Sequence, residues 1–118
     1  QEPKHLERDF RAKVVQLIVN GRPELAVKLL SRHYGISEPD LRVGTVKRHR
    51  KVLACYAEKQ KRIYVSRSEF LTNPYVVLHE FYHHLRAAHI NKSRQIEKRA
   101  DLFAHAFIAD FKGRQALQ

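Results

Sequence analysis

Two histidines four residues apart, with a glutamate directly after the first, stand in the segment VVLHEFYHHL. They are His79 and His83, and with Glu80 they form the pattern H-E-x-x-H. On an α-helix, residues four apart lie one turn apart on the same face, so both imidazoles can bind one zinc ion. Glu80 projects beside them, where its carboxylate can take a proton from a water molecule that zinc polarises. The pattern therefore predicts a catalytic zinc site.

The alternative is an exposed helix whose histidines are incidental, because a five-residue pattern also arises by chance. Leu78, Phe81 and Leu85 argue against that interpretation, since they give the segment an apolar face that would bury it in the domain. A buried helix does not usually carry clustered histidines without a partner. A catalytic zinc also needs three protein ligands and one open position, so the site requires a third ligand.

His89 is one candidate for the third ligand, because residues 79, 83 and 89 match the spacing of the H-E-x-x-H-x-x-G-x-x-H metalloproteases. That pattern uses its glycine to turn the chain out of the helix, and this sequence has Arg86 there, followed by two helix-favouring alanines. If the helix continues, His89 lies about 240° round the axis from His83 and points away from the metal. The helical continuation therefore disfavours His89.

Glu97 is the other candidate and the favoured one. It opens the segment EKRAD, which ends four residues later at Asp101 on the next predicted helix. Both carboxylates flank an apolar stripe, so they can face the histidine helix when that stripe packs inward. We expect Glu97 to bind the metal and Asp101 to accept the free ring N–H of His79 or His83, which fixes the orientation of the ring. The structural alternative is an exposed Glu97 that pairs with Lys98 or Arg94, and an Asp101 in solvent.

Other polar side chains are candidates for a supporting role. A hydrogen-bond donor opposite the zinc usually stabilises the transition state, and the sequence leaves five candidates open: Tyr56, Tyr64, Tyr75, Tyr82 and His105. His84 directly follows a predicted ligand, and we interpret it, like His105, as a solvated or core-edge histidine. Neither is predicted to bind the metal.

The elements that must position these residues are predicted from hydrophobic spacing. Apolar residues at helical intervals predict two N-terminal helices, 5–19 and 22–34, and alternating residues predict three strands, 41–45, 52–57 and 62–66. The strands are joined by connections of hairpin length, so we expect a small, largely antiparallel meander with helices on one face.

Two further helices are expected to carry the site, which makes the fold class α+β. The active-site helix has Thr72 or Asn73 as its N-cap and Pro74 in its first turn, and it runs to about Ile90. The glutamate helix follows an N-cap at Ser93 and ends at Gly113, which leaves 113–118 as a loose tail.

The composition favours one soluble, intracellular domain. A chain of 118 residues suits a single domain, 1–118. No apolar run approaches the roughly 18 to 20 residues of a membrane span, and the N-terminal segment lacks a basic-then-apolar signal pattern, so we expect a cytoplasmic location. The single cysteine, Cys55, excludes an internal disulfide and is predicted to be a small buried hydrophobe in a strand.

The formal charge of +11 supports an alternative function. Positive charge attracts phosphate backbones and acidic partners, so the alternative is a basic nucleic-acid-binding or regulatory module whose zinc site is structural or vestigial. The basic residues are scattered, however, and the one dense run, KRHRK at 47–51, falls where a turn is expected. A structural zinc site would also close with four protein ligands, and only three are readily found. We therefore favour an enzyme.

With H-E-x-x-H on one helix and E-x-x-A-D on the next, the chain resembles the gluzincin metallopeptidases. Two helices before three strands, and little chain after the glutamate helix, make it similar to the minimal single-domain members, the minigluzincins, and to the peptidase core of ImmA/IrrE-type proteins. The resemblance implies a zinc-dependent endopeptidase. In it His79, His83 and Glu97 bind zinc, and Glu80 is the general base and acid.

The resemblance also implies how substrate binds. In such enzymes a peptide or protein substrate lies extended beside an edge strand of the sheet, and the sequence does not indicate which strand that is. Minigluzincins can be latent zymogens with a chain segment in the cleft. The carboxylates of Asp110 and of the terminus at Gln118 are candidates for that segment.

Overall fold

The computed structural model describes residues 4–45, 52–88 and 95–117. Within these ranges, four α-helices, three strands and a short 3₁₀ helix follow in the order α1 (Lys4–Val19), α2 (Pro23–Tyr34), β1 (Asp40–Val43), β2 (Ala54–Ala57), β3 (Arg62–Val65), the 3₁₀ helix (Ser68–Thr72), α3 (Pro74–Ala87) and α4 (Ile96–Ala116). The predicted α+β class is confirmed, as are the two N-terminal helices. None of the described helices combines the length and the apolar character that a membrane span requires.

The strand order differs from the predicted meander. β3 lies in the centre, with β1 parallel to it on one side and β2 antiparallel to it on the other, so the order is β1-β3-β2. The hairpin between β2 and β3 matches the prediction, and its turn includes Lys61, which adopts φ 51° and donates its backbone N–H to the carbonyl of Glu58. The predicted pairing of β1 with β2 was wrong, and the sheet is mixed.

Burial explains this order. Ile63 and Val65 of β3 are fully buried, whereas β1 is mostly exposed and β2 is half-buried along its length. A central strand is covered along both edges, so the strand that buries most apolar surface gains most free energy in that position. β2 is consequently left at an edge of the sheet.

α3 runs through the centre of the domain. Its residues Leu78 and Phe81 are fully buried and belong to a core that also receives side chains from α1, α2, β3 and α4. The helix begins as predicted, with Pro74 in its first turn and Asn73 as the N-cap. The Asn73 side chain accepts a hydrogen bond of 3.2 Å from the backbone N–H of Val76, which satisfies one of the free donors at the helix start.

α4 is longer than predicted. It continues past Gly113, so this glycine does not end the helix and residues 113–116 do not form a loose tail. A glycine ends a helix when it takes the left-handed conformation, as Gly35 does after α2 with φ 68°. Gly113 keeps a negative φ, and the last turns of α4 lie beside α1, where Arg114 is 3.7 Å from Asp9.

Some predictions fall outside the described residues. These concern the basic run at 47–51, the alternative ligand His89, the terminus at Gln118 and the residues Ile90 and Ser93 themselves. Within the described residues, α3 ends at Ala87, before the predicted end near Ile90, and the N-cap position of α4 is Gln95 rather than the predicted Ser93.

Candidate metal centre

Two facing rows of polar side chains form the candidate site. Each row has members four residues apart, one per helical turn: Tyr75, His79 and His83 on α3, and Glu97, Asp101 and His105 on α4. Contacts between the rows follow opposite sequence directions on the two helices, so α3 and α4 are antiparallel along the site. We call this arrangement the polar ladder.

Glu97 bridges the two histidines of the H-E-x-x-H pattern. Its Oε2 lies 3.0 Å from Nε2 of His79, and its Oε1 lies 2.7 Å from Nε2 of His83. One ligand atom from each residue lies within 4.8 Å of the other two, so the group can hold a metal ion. The histidine side chains are 14 % and 17 % exposed, whereas that of Glu97 is 70 % exposed and has room to adjust. The structure thus brings together the three residues that the sequence singled out as ligands.

Glu80 lines the cleft beside these three side chains and is only 9 % exposed. Burial is the main cause that raises its pKa, to about 7, while the neighbouring His79 lowers the pKa and Glu97 raises it. A carboxyl group with a pKa near neutral can both accept and donate a proton at physiological pH. This is the property that the predicted general base and acid needs.

Asp101 lies on the other side of the His79 ring. Its Oδ1 is 2.9 Å from Nδ1 of His79, a distance that suits a hydrogen bond, although the ring N–H is not aimed squarely at the oxygen. The Tyr75 hydroxyl donates to the same Oδ1. That hydrogen bond is the largest cause that lowers the pKa of Asp101 and raises the pKa of Tyr75 to about 12, so the carboxylate stays charged and the phenol stays protonated.

Tyr75 and His105 extend the ladder away from the ligand candidates. The centroid of the Tyr75 ring lies 5.6 Å from that of His79 and 5.3 Å from that of His105. The sequence indicated both only as candidate donors opposite the metal. Tyr75 precedes His79 by four residues, the same interval that separates His79 from His83, and His105 follows Asp101 by four. This interval in the sequence could therefore have placed Tyr75 and His105 on the same helix faces as the ligand candidates.

Two other candidate donors are directed elsewhere. The Tyr64 hydroxyl accepts a hydrogen bond of 3.0 Å from Arg62 in the same strand. The Tyr82 ring packs on Phe103, with a centroid distance of 5.2 Å. Neither residue lines the cleft that contains the histidines.

His84 is a core residue that the sequence did not identify as one. It is 2 % exposed, its Nδ1 lies 2.8 Å from the Tyr56 hydroxyl, and its Nε2 lies 2.7 Å from the carbonyl oxygen of Ser37. A carbonyl can only accept, so Nε2 carries the proton and Nδ1 accepts from the Tyr56 hydroxyl. Burial is the main cause that lowers the His84 pKa, which favours this neutral form. His84 thereby ties α3 to β2 and to the segment after α2.

An open cleft of about 530 Å³ adjoins the ligand candidates. Its far wall is β2, where the consecutive residues Ala54, Cys55 and Tyr56 all border the cleft. Since side chains alternate along a strand, a wall of consecutive residues indicates that the strand presents its edge to the cleft. The described part of the sheet pairs β2 on its other side only, with β3.

Cys55 differs in part from its prediction. It lies in a strand as expected, but it is half-buried and lines the cleft, because β2 is an edge strand rather than a covered one. Burial first, and the charge of Glu80 second, raise the pKa of its thiol. Its side chain is therefore a neutral part of the cleft wall.

Two features of the fold lie away from this site. Asp110 forms an ion pair of 3.2 Å with Arg11, and it follows Glu97 by about 20 Å along α4. The proposal that Asp110 blocks the metal site was therefore wrong. A second groove, of about 650 Å³, lies between α1 and α4 and is slightly larger than the cleft. Two charged residues in its wall, Asp9 and Arg114, form an ion pair with each other.

No protein-family model matches this chain, and neither a curated protein nor a solved structure matches it. The function of this protein is therefore inferred from the arrangement of the site.

Proposed function

We propose that this protein is a zinc-dependent metallopeptidase that cleaves peptide bonds within a chain. The observation that carries the proposal is the meeting of His79, His83 and Glu97 at one point, with the buried Glu80 beside them and an open cleft in front. Two imidazoles and one carboxylate form a donor set that suits a catalytic zinc site, which keeps a position free for water or substrate.

The positions of the three side chains suit one metal ion. With one ligand atom taken from each of His79, His83 and Glu97, the three atoms all lie within 4.8 Å of one another. Atoms that bind one zinc ion at about 2.1 Å lie about 3.4 Å apart, so a small adjustment is enough. The Glu97 side chain is 70 % exposed and has room to make it.

Bound zinc supplies a Lewis acid that polarises a peptide carbonyl and acidifies water. The protein supplies the proton transfers: the Glu80 carboxylate takes a proton from the attacking water and delivers it to the leaving amine. A pKa near 7, raised by burial, suits both transfers near neutral pH. Asp101 Oδ1, 2.9 Å from Nδ1 of His79, is placed to attract the Nδ1 proton, which leaves Nε2 as the ligand atom.

The geometry of the cleft favours β2 as the strand that binds substrate. An extended peptide can add to the edge of β2 as a further strand, using its backbone hydrogen bonds for affinity. This agrees with the binding mode that the resemblance to gluzincins implies. The hydrogen bond of 2.8 Å between the half-buried Tyr56 and the buried His84 holds that strand against α3 and thus sets its distance from the ligands.

The proposal is tested by metal content and peptide cleavage in the same preparations. Wild-type protein should bind one zinc ion and cleave casein or a quenched peptide, and His79→Ala should lose both properties. Glu80→Gln should keep zinc but lose cleavage, because it removes the base and leaves the ligands. Glu69→Gln is a matched control, since Glu69 is exposed, lies outside the site and forms an ion pair of 3.4 Å with the exposed Arg67.

A basic binding module is the second candidate, and the formal charge of +11 is the observation that favours it. This function predicts that the zinc-loaded protein cleaves no substrate and binds DNA or RNA with an affinity that falls steeply with salt. Zinc retained without cleavage, together with such binding, would replace the peptidase proposal.

A further inference from the structure

Tyr75 stands one helical turn before His79, and the proton transfers of the proposed function do not use it. We infer that Tyr75 is a positioning residue for the metal site: it anchors the Asp101 carboxylate, which in turn holds the His79 ring with Nε2 facing Glu97. This inference rests on the metal site of the proposed function, but it does not require that the protein cleaves peptides.

Exposure of the carboxylate is the first reason. The Asp101 side chain is 46 % exposed, so water competes for its oxygens and its side chain has other rotamers available. The Tyr75 hydroxyl donates to Oδ1, the same oxygen that lies 2.9 Å from Nδ1 of His79. A carboxylate oxygen can accept two hydrogen bonds, so the two donors do not compete for it.

Restraint of the tyrosine is the second reason. Its ring neighbours the imidazoles of both His79 and His105, at centroid distances of 5.6 Å and 5.3 Å. An aromatic ring has only two side-chain torsions, so these two neighbours restrict the place of its hydroxyl at a low cost in entropy. A restrained donor can therefore hold an exposed carboxylate in one orientation.

The effect on the metal follows from the two nitrogens of one imidazole. A histidine binds a metal through an unprotonated nitrogen, so Nε2 of His79 is available only when Nδ1 carries the proton. The Asp101 carboxylate, with Oδ1 2.9 Å from Nδ1, favours that tautomer because its negative charge attracts the Nδ1 proton. Tyr75 should therefore strengthen zinc binding without touching the ion.

A double-mutant cycle measures this role. Zinc affinity is determined by competition with a chromogenic chelator for wild type, Tyr75→Phe, Asp101→Ala and the double variant. We expect Tyr75→Phe to weaken zinc binding about tenfold, the lower end of the range for groups that orient ligands. In the Asp101→Ala background, the same change should have no further effect, because Tyr75 acts through Asp101.

Two further measurements separate positioning from a general effect on stability. Tyr82→Phe removes a hydroxyl from a tyrosine of the same helix that packs on Phe103, and it should leave zinc affinity unchanged. In the zinc-loaded protein, the Nδ1 proton of His79 should exchange with water faster in Tyr75→Phe than in wild type, as seen by NMR. Metal-free Tyr75→Phe should unfold at nearly the wild-type temperature.

Three results would overturn the inference. They are wild-type zinc affinity in Tyr75→Phe, an equal loss in both backgrounds of the cycle, and an unchanged exchange rate of the Nδ1 proton. A wild-type protein that binds no zinc would overturn this inference and the proposed function together. Tight zinc binding without peptide cleavage would overturn only the proposed function.

Discussion

Removal of the Glu80 charge should stabilise the metal-free protein at neutral and alkaline pH. Burial raises the pKa of Glu80 from its ordinary value of 4.5 to about 7. The folded state therefore binds the proton more tightly than the unfolded state does. The stability that this proton contributes is fully present below about pH 4.5 and is lost as the pH rises through about 7. In Glu80→Gln, residue 80 has no carboxyl group to ionise, so the stability of this variant does not fall for that reason.

The size of the effect follows from the two pKa values. Each pKa unit corresponds to about 1.4 kcal/mol, so the change from 4.5 to about 7 amounts to about 3 kcal/mol once Glu80 is fully ionised. The difference in unfolding free energy between Glu80→Gln and wild type should start near zero at pH 4 and level off near this value at pH 8. For a domain of this size, that corresponds to a melting temperature higher by about 10 °C.

The assay is urea unfolding of both proteins, treated with a chelator, across pH 4 to 9. The histidines occur in both proteins, so the difference between the two curves reports Glu80 together with its interaction with the neighbouring His79. Glu69→Gln is the control, because this exposed residue should change stability by no more than about 0.5 kcal/mol at any pH. Added zinc should reduce the difference, since the ion's charge favours an ionised Glu80.

If the difference in unfolding free energy between Glu80→Gln and wild type did not depend on pH, the reasoning would be refuted. Such a result would show that the Glu80 carboxylate is not desolvated in the folded state. So would a Glu80→Gln variant that is less stable than wild type at pH 8. In either case, Glu80 would lack the raised pKa that suits it to exchange protons near neutrality.

Three other outcomes are expected. Glu97→Gln should weaken zinc binding more than Tyr75→Phe does, because a neutral amide replaces a ligand; equal chelator-competition curves for the two variants would contradict the ligand role. His84→Ala should lower the unfolding free energy by about 2 to 4 kcal/mol, since it leaves a cavity and removes the hydrogen bonds to the Tyr56 hydroxyl and the Ser37 carbonyl; His5→Ala, at an exposed position of α1, is the control in the same urea titration. Asn73→Ala should cost about 1 kcal/mol through loss of the α3 cap, and a melting temperature equal to that of wild type would show that the cap does not contribute.

Local spacing in the sequence determined much of the candidate site. The four-residue interval between His79 and His83 places them on one face of any helix, and the same interval joins Glu97 to Asp101. Asn73 before a proline similarly indicated where α3 begins, because capping depends only on neighbouring residues. These features follow from geometry within one element.

The tertiary structure alone decided how the elements lie beside one another. β3 is central because Ile63 and Val65 are fully buried, and this competition for burial between distant segments leaves β2 at the edge of the cleft. The hydrogen bonds of His84 and the pKa of Glu80 likewise depend on groups brought from other parts of the chain. The helical conformation of Gly113 also depends on tertiary packing, because α4 continues beside α1 and Gly113 there needs no positive φ. Spacing fixes which side chains share a face, and packing fixes what that face meets.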